Sequence, residues 1–163
     1  MPESLQGRHI WILAAGACLT ALAVVAVIAL PASGTAPAGS SFFAKLDGEH
    51  EAPHGDPDGY GTFSASFNGT KLCYGLQVAR IGPPIAAHIH KGPVGQTGPI
   101  SIQLHQPPTG AAAASTGCKT LSTSRANAIK SSPGAYYVNV HTDAFPNGAI
   151  RGQLFQASLA EDK

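Results

Sequence analysis

Between residues 42 and 156, apolar and polar positions alternate in short bursts, the period-2 signature of half-buried β-strands. In GTFSASF, Phe63, Ala65 and Phe67 fall on one face, with Thr62, Ser64 and Ser66 on the other. Asn68-Gly69 then suits the positive φ angles of a tight hairpin. KLCYGLQVARI resumes the alternation with Leu72, Tyr74, Leu76 and Val78 in register. FFAKLDG, IAAHIHKG, ISIQLH, AYYVNVHT and AIRGQLF read as further strands, the last two joined around Pro146-Asn147-Gly148. Within ISIQLH, Ile100, Ile102 and Leu104 are expected to share a face. GPVGQTGP and QPPTGAAAASTG read as loops. STSRANAIKSS predicts a short helix, capped by Ser122 or Ser124 and stopped before Pro133. The expected fold is all-β: an antiparallel Greek-key-type sandwich or barrel of about seven or eight strands, with one short helix.

A different pattern precedes it. Residues 10–30 are 21 positions without a charge, enough to cross a hydrocarbon layer as a helix. Arg8 and His9 stand before this segment, and no Lys or Arg follows until Lys45. That asymmetry predicts a cytoplasmic N-terminus (residues 1–9) and an extracytoplasmic remainder. A cleavable signal peptide is the rival reading, but its apolar core would run to about 7–15 residues, and we favour an uncleaved anchor. Cys18 in AGAC reads as a small residue of that helix, because apolar sequence continues beyond it where an acylated lipoprotein would turn polar. Residues 31–41, PASGTAPAGSS, form an uncharged flexible linker. One domain over residues 42–156 and a short tail, 157–163, complete the chain.

Past the linker there are nine basic and eight acidic residues. This near-neutral balance has no basic stripe to neutralise phosphates, which argues against nucleic acid as a partner. Two cysteines lie outside the apolar segment. In an oxidising compartment Cys73 and Cys118 are most simply a disulfide, and their spacing fits no short metal-ligand motif.

Six of the seven histidines fall in the domain. Side chains alternate across a strand, so His88 and His90 share one face while Ala87 and Ile89 face the core. The same test sends Tyr136, Val138 and Val140 inward and Tyr137, Asn139 and His141 outward. If the two strands are neighbours, three imidazoles converge outside the core, with loops 91–98 and 142–148 placed to cover them. Neutral imidazole suits copper and zinc, and three nitrogens make a credible set of ligands. His-x-His alone is weak evidence, since such rings commonly just hydrogen-bond to loop carbonyls; His141 on the matching face strengthens the case for metal. His105, His50 and His54 are further candidate ligands, the last two in the polar loop GEHEAPHGDPDG. DPDG there lacks the Glu at the twelfth position that a calcium loop needs.

The segments AKLDGEHEAP, AAHIHKGPVGQTGPISIQL and PGAYYVNVHTDAFPNGAIRGQL resemble the CHRD domain, a module of chordin and of secreted bacterial proteins. The chain departs from the usual pattern at Ala149, where an acidic residue is common, and in carrying His50 and His54. The resemblance implies a β-sandwich or barrel. The histidines are also similar in arrangement to the copper ligands of the Cu,Zn superoxide dismutases. Carried over by position, His88, His90 and His141 would be copper ligands and His105 would take the third-ligand spacing. The zinc-site residues have no counterpart, which argues against a binuclear enzyme. The expected function is transition-metal binding, with copper ahead of zinc, in a membrane-tethered extracytoplasmic domain. The alternative is a metal-free module that binds an extracytoplasmic protein partner through Tyr137 and the loops. A copper-only dismutase ranks third, and no nucleophile-and-base set is present for other enzymatic chemistry.

Overall fold

The computed structural model describes residues 40–104 and 112–157. The apolar segment at 10–30, most of the linker and His105 lie outside them. Among the described residues no helix is long and apolar enough to cross a membrane. Nine strands follow in chain order: β1 (Ser41–Asp47), β2 (Tyr60–Asn68), β3 (Lys71–Ala79), β4 (Pro84–Lys91), β5 (Ile100–Gln103), β6 (Ala112–Thr120), β7 (Tyr136–Thr142), β8 (Ile150–Gln153) and β9 (Phe155–Gln156). Helix α1 (Thr123–Ser131) lies between β6 and β7.

All pairings are antiparallel, and the strands form one sheet in the order β5-β4-β7-β8-β1-β2-β3-β6, with β9 also on β1. The expected sandwich or barrel is thus a single sheet curled into a half-barrel. Its inner face collects the alternating apolar residues as the sequence pattern predicts: Phe42, Phe63, Phe67, Leu72, Leu76, Ile89, Val138, Val140 and Ile150 are all in one buried cluster. Ser122 caps α1 by accepting from the Arg125 N–H at 3.3 Å, satisfying one of the free donors of the first turn. The helix buries Ala126 and Ile129 in the same core. Gly69, with φ +61°, makes the β2–β3 hairpin turn.

Two expectations fail. The second half of QPPTGAAAASTG is not a loop. Residues 112–120 form β6, paired with β3 over nine residue pairs without a break. Alanine and glycine have low strand propensity, so propensity concealed a strand that pairing with β3 enforces. Ile100 also leaves the face of Ile102 and Leu104. The register slips between Ile89 and His90 as β4 pairs β5, so that Ile100 sits opposite outward-facing His90 and is 53% exposed. One extra residue in a strand reverses the alternation beyond it.

Cys73 and Cys118 are directly opposed in the β3–β6 ladder, 4.0 Å apart at Cα, and form a disulfide. The bond staples β6, which ends the strand order, to β3. Replacing both cysteines with serine should lower the unfolding free energy by about 2–4 kcal/mol. An unchanged urea midpoint would show that β6 holds without the bond.

Candidate metal centre

The outer face of β4, β7 and β8 carries the polar residues of interest because the inner face takes their apolar neighbours. Across β4 and β7, His88 sits opposite Asn139, His90 opposite Tyr137, and Ala86 opposite His141. Across β7 and β8, Asn139 sits opposite Arg151 and Tyr137 opposite Gln153. His88, His90 and His141 therefore meet, as the alternation of the two strands predicts, and one ring nitrogen from each lies within 4.8 Å of the others. Three nitrogens around one ion at ~2.1 Å stand about 3.5 Å apart, so modest ring rotations close the set.

This face is outside the core but not open to solvent. His88 is 8% exposed and Tyr137 2%. The covering loops are fastened by the site itself. The His90 Nδ1–H donates to the Gly98 carbonyl at 2.9 Å, and the His141 Nδ1–H to that of Pro146 at 3.0 Å. The Gly98 N–H donates to the Tyr137 hydroxyl at 3.1 Å, and Gln153 Nε2 reaches the Gly92 and Gly134 carbonyls at 2.8 and 2.7 Å. Arg151, 2% exposed, donates from Nη2 to the Gln96 carbonyl at 2.9 Å and lays its guanidinium 3.9 Å from the centre of the Tyr137 ring.

These bonds fix the tautomers. With protons on Nδ1, His90 and His141 present Nε2 as lone pairs. His90 Nε2 is buried with no hydrogen-bond partner. His141 Nε2 faces His88 Nδ1 at 3.0 Å, which leaves the other His88 nitrogen for its hydrogen bond with the Gln103 side chain. Burial is the main cause that holds all three rings below the ordinary imidazole range, and for His88, down to about 4, the neighbouring His141 and His90 add to it. At neutral pH they are uncharged, the state that ligates metal. A buried acceptor without a donor, beside two further neutral imidazoles, fits a cation.

A second buried pair supports β7 from the side. Asn139 Nδ2 donates to Glu51 Oε1, in the loop after β1. Burial lifts the Glu51 carboxyl to about 7, against the Arg151 charge and the Ala52 N–H, which act the other way. Gly148 packs on this pair with φ +145°, and a Cβ there would run into the Glu51 carboxyl and the Asn139 amide. Sequence reasoning placed Glu51 only as a loop carboxylate, and it missed Gln103, which the alternation that turns Ile102 and Leu104 inward places outward. A strand residue opposite His88 was the available signal.

His50 and His54 do not join. His50 is paired with Asp47 at 2.5 Å, and His54 bonds the Glu49 carbonyl through Nδ1 at 2.9 Å; both are exposed and outside the cluster. Tyr137, expected to help form a protein-binding face, is instead buried beneath loop 92–98 because its ring is stacked on His90 with centroids 4.9 Å apart.

A half-barrel that holds a histidine cluster on its outer face under short loops defines a small β-domain with a candidate metal site. Residues 42–154 match the CHRD domain family, and the chain belongs to it. No curated protein and no solved structure matches the chain significantly.

The two buried titrating groups work in opposite directions. Glu51 has a raised folded pKa, so its contribution to stability is full below about 4.5 and is lost as pH rises through about 7. His88 has a depressed one, so stability is lost as pH falls from 6.5 towards 4. In metal-free protein the two offset each other between about 4.5 and 6.5. Glu51→Gln should raise the urea midpoint at pH 8 and expose a steeper acid loss below pH 6.5. A midpoint profile parallel to that of the unmodified protein would contradict the assignment. Gly148→Ala should lower the unfolding free energy at every pH, by about 1–3 kcal/mol.

Proposed function

We propose that this protein is a membrane-tethered, extracytoplasmic CHRD domain that binds a transition metal through His88, His90 and His141, for storage, delivery or sensing. The observation that carries the reading is His90 Nε2, a buried lone pair with no donor, within reach of two other neutral imidazoles. A purely architectural histidine would have both nitrogens partnered. The metal-bound form needs the His88 proton on the nitrogen that faces Gln103, which makes Gln103 the residue that selects the ligating tautomer.

Copper is the metal proposed. A set of imidazoles alone suits both copper and zinc, and for a given nitrogen site Cu(II) is the stronger binder. The tether is supported by the uncharged residues 10–30 and the basic residue before them. The extracytoplasmic placement is supported by the disulfide.

Purified full-length protein, stripped with chelator, should bind one equivalent of Cu(II) and bind Zn(II) more weakly. The His88→Ala/His90→Ala/His141→Ala variant should lose that equivalent. Gln103→Leu should weaken binding by about tenfold. Copper affinity undiminished by His88→Ala and His141→Ala would refute the site. An absence of uptake in correctly folded protein would favour the metal-free, partner-binding reading.

A further inference from the structure

Among the described residues, three of the four buried side-chain polar atoms without a hydrogen-bond partner belong to His90, Asn139 and Arg151 on the face just described. The histidine cluster accounts for the first. Arg151 Nη1 is a charged donor with no acceptor, in a residue 2% exposed. A guanidinium buried with one arm unsatisfied is costly unless something accepts from it.

Arg151 lines a pocket of about 130 Å³ together with Lys45, His50, Gln153, Val94 and Gly95. Lys45 comes from β1, Arg151 and Gln153 from β8, and His50 from the loop after β1, so the pocket straddles the β1–β8 junction. Loop 92–98 supplies its apolar wall. Its side chains include two fixed cations and an imidazole, and no carboxylate is among the lining residues. Asp47 is nearby but is engaged by His50 through both the ring and the backbone N–H. Glu51 is the acidic group whose field reaches Arg151, and burial keeps it partly protonated near neutral pH.

The pocket is separate from the histidines. β4 and β8 flank β7 on opposite sides, so Tyr137 stands between His90, stacked at 4.9 Å, and the Arg151 guanidinium at 3.9 Å.

We infer that this pocket binds a small oxyanion, of the carboxylate or phosphate class, with the Arg151 guanidinium as its floor charge and Lys45 as its rim charge. Guanidinium is the side chain best matched to such groups. The volume, about four waters' worth of liquid, suits an inorganic anion or a short carboxylate.

The test uses full-length protein kept in chelator at constant ionic strength, so that the outcome speaks to this pocket and not to the metal. Titration with inorganic phosphate, and separately with acetate, is followed by calorimetry and by the ¹⁵N-edited resonances of the Arg151 side chain and the Gly95 amide. One equivalent of either anion should bind and shift both resonances. Which anion binds more tightly identifies the class. Because Arg151 also holds the covering loop, its replacement can unfold the site, so the deciding variant is exposed Lys45→Gln. It should weaken binding about fivefold. The inference is overturned if neither anion binds, or if Lys45→Gln leaves the affinity unchanged.

Discussion

A sheet that buries its second face must find partners for the polar groups placed there, and in this domain that requirement organises most of what lies above the β4-β7-β8 surface, with His90 Nε2, Asn139 Oδ1 and Arg151 Nη1 left over. The partners are loop carbonyls. Imidazoles take those of Gly98 and Pro146, guanidinium takes that of Gln96, and an amide takes those of Gly92 and Gly134. Each such bond does two things at once. It satisfies a carbonyl of a loop that has no ladder of its own, and it turns the far side of the ring or fork towards the interior of the layer. The lone pairs of His90 and His141 are a by-product of how the loops are fastened.

The half-barrel supplies what this layer needs: rigid positions. Apolar residues at alternate places in β4 and β7 lock the strands against the inner core, so the intervening residues are held at fixed spacing. Loops pinned to such strands inherit their precision, which accounts for a histidine cluster assembled from residues 53 positions apart in the chain.

Much of this could be read from the sequence. Strict alternation located β2, β3, β4 and β7 and their faces. The same alternation brought His88, His90 and His141 to one side, since face assignment depends only on counting by two. What escaped detection depended on pairing between distant segments. β6 has no apolar pattern, and only β3 makes it a strand. Ile100 is placed by a bulge that composition does not announce. His50 and His54 are indistinguishable by type from the clustered histidines, and a backbone carbonyl and a neighbouring aspartate, both local, are what occupy them. The burial of Tyr137, Glu51 and Arg151 also follows from loops folding over the sheet, which alternation along one strand does not encode.

Tyr137 has a consequence of its own. Its ring is gripped between an imidazole and a guanidinium while its hydroxyl is tied to the Gly98 amide. A chromophore held so rigidly in an asymmetric setting absorbs left and right circularly polarised ultraviolet light unequally. The domain thus carries an intrinsic optical reporter whose signal follows the seating of loop 92–98, with no label attached.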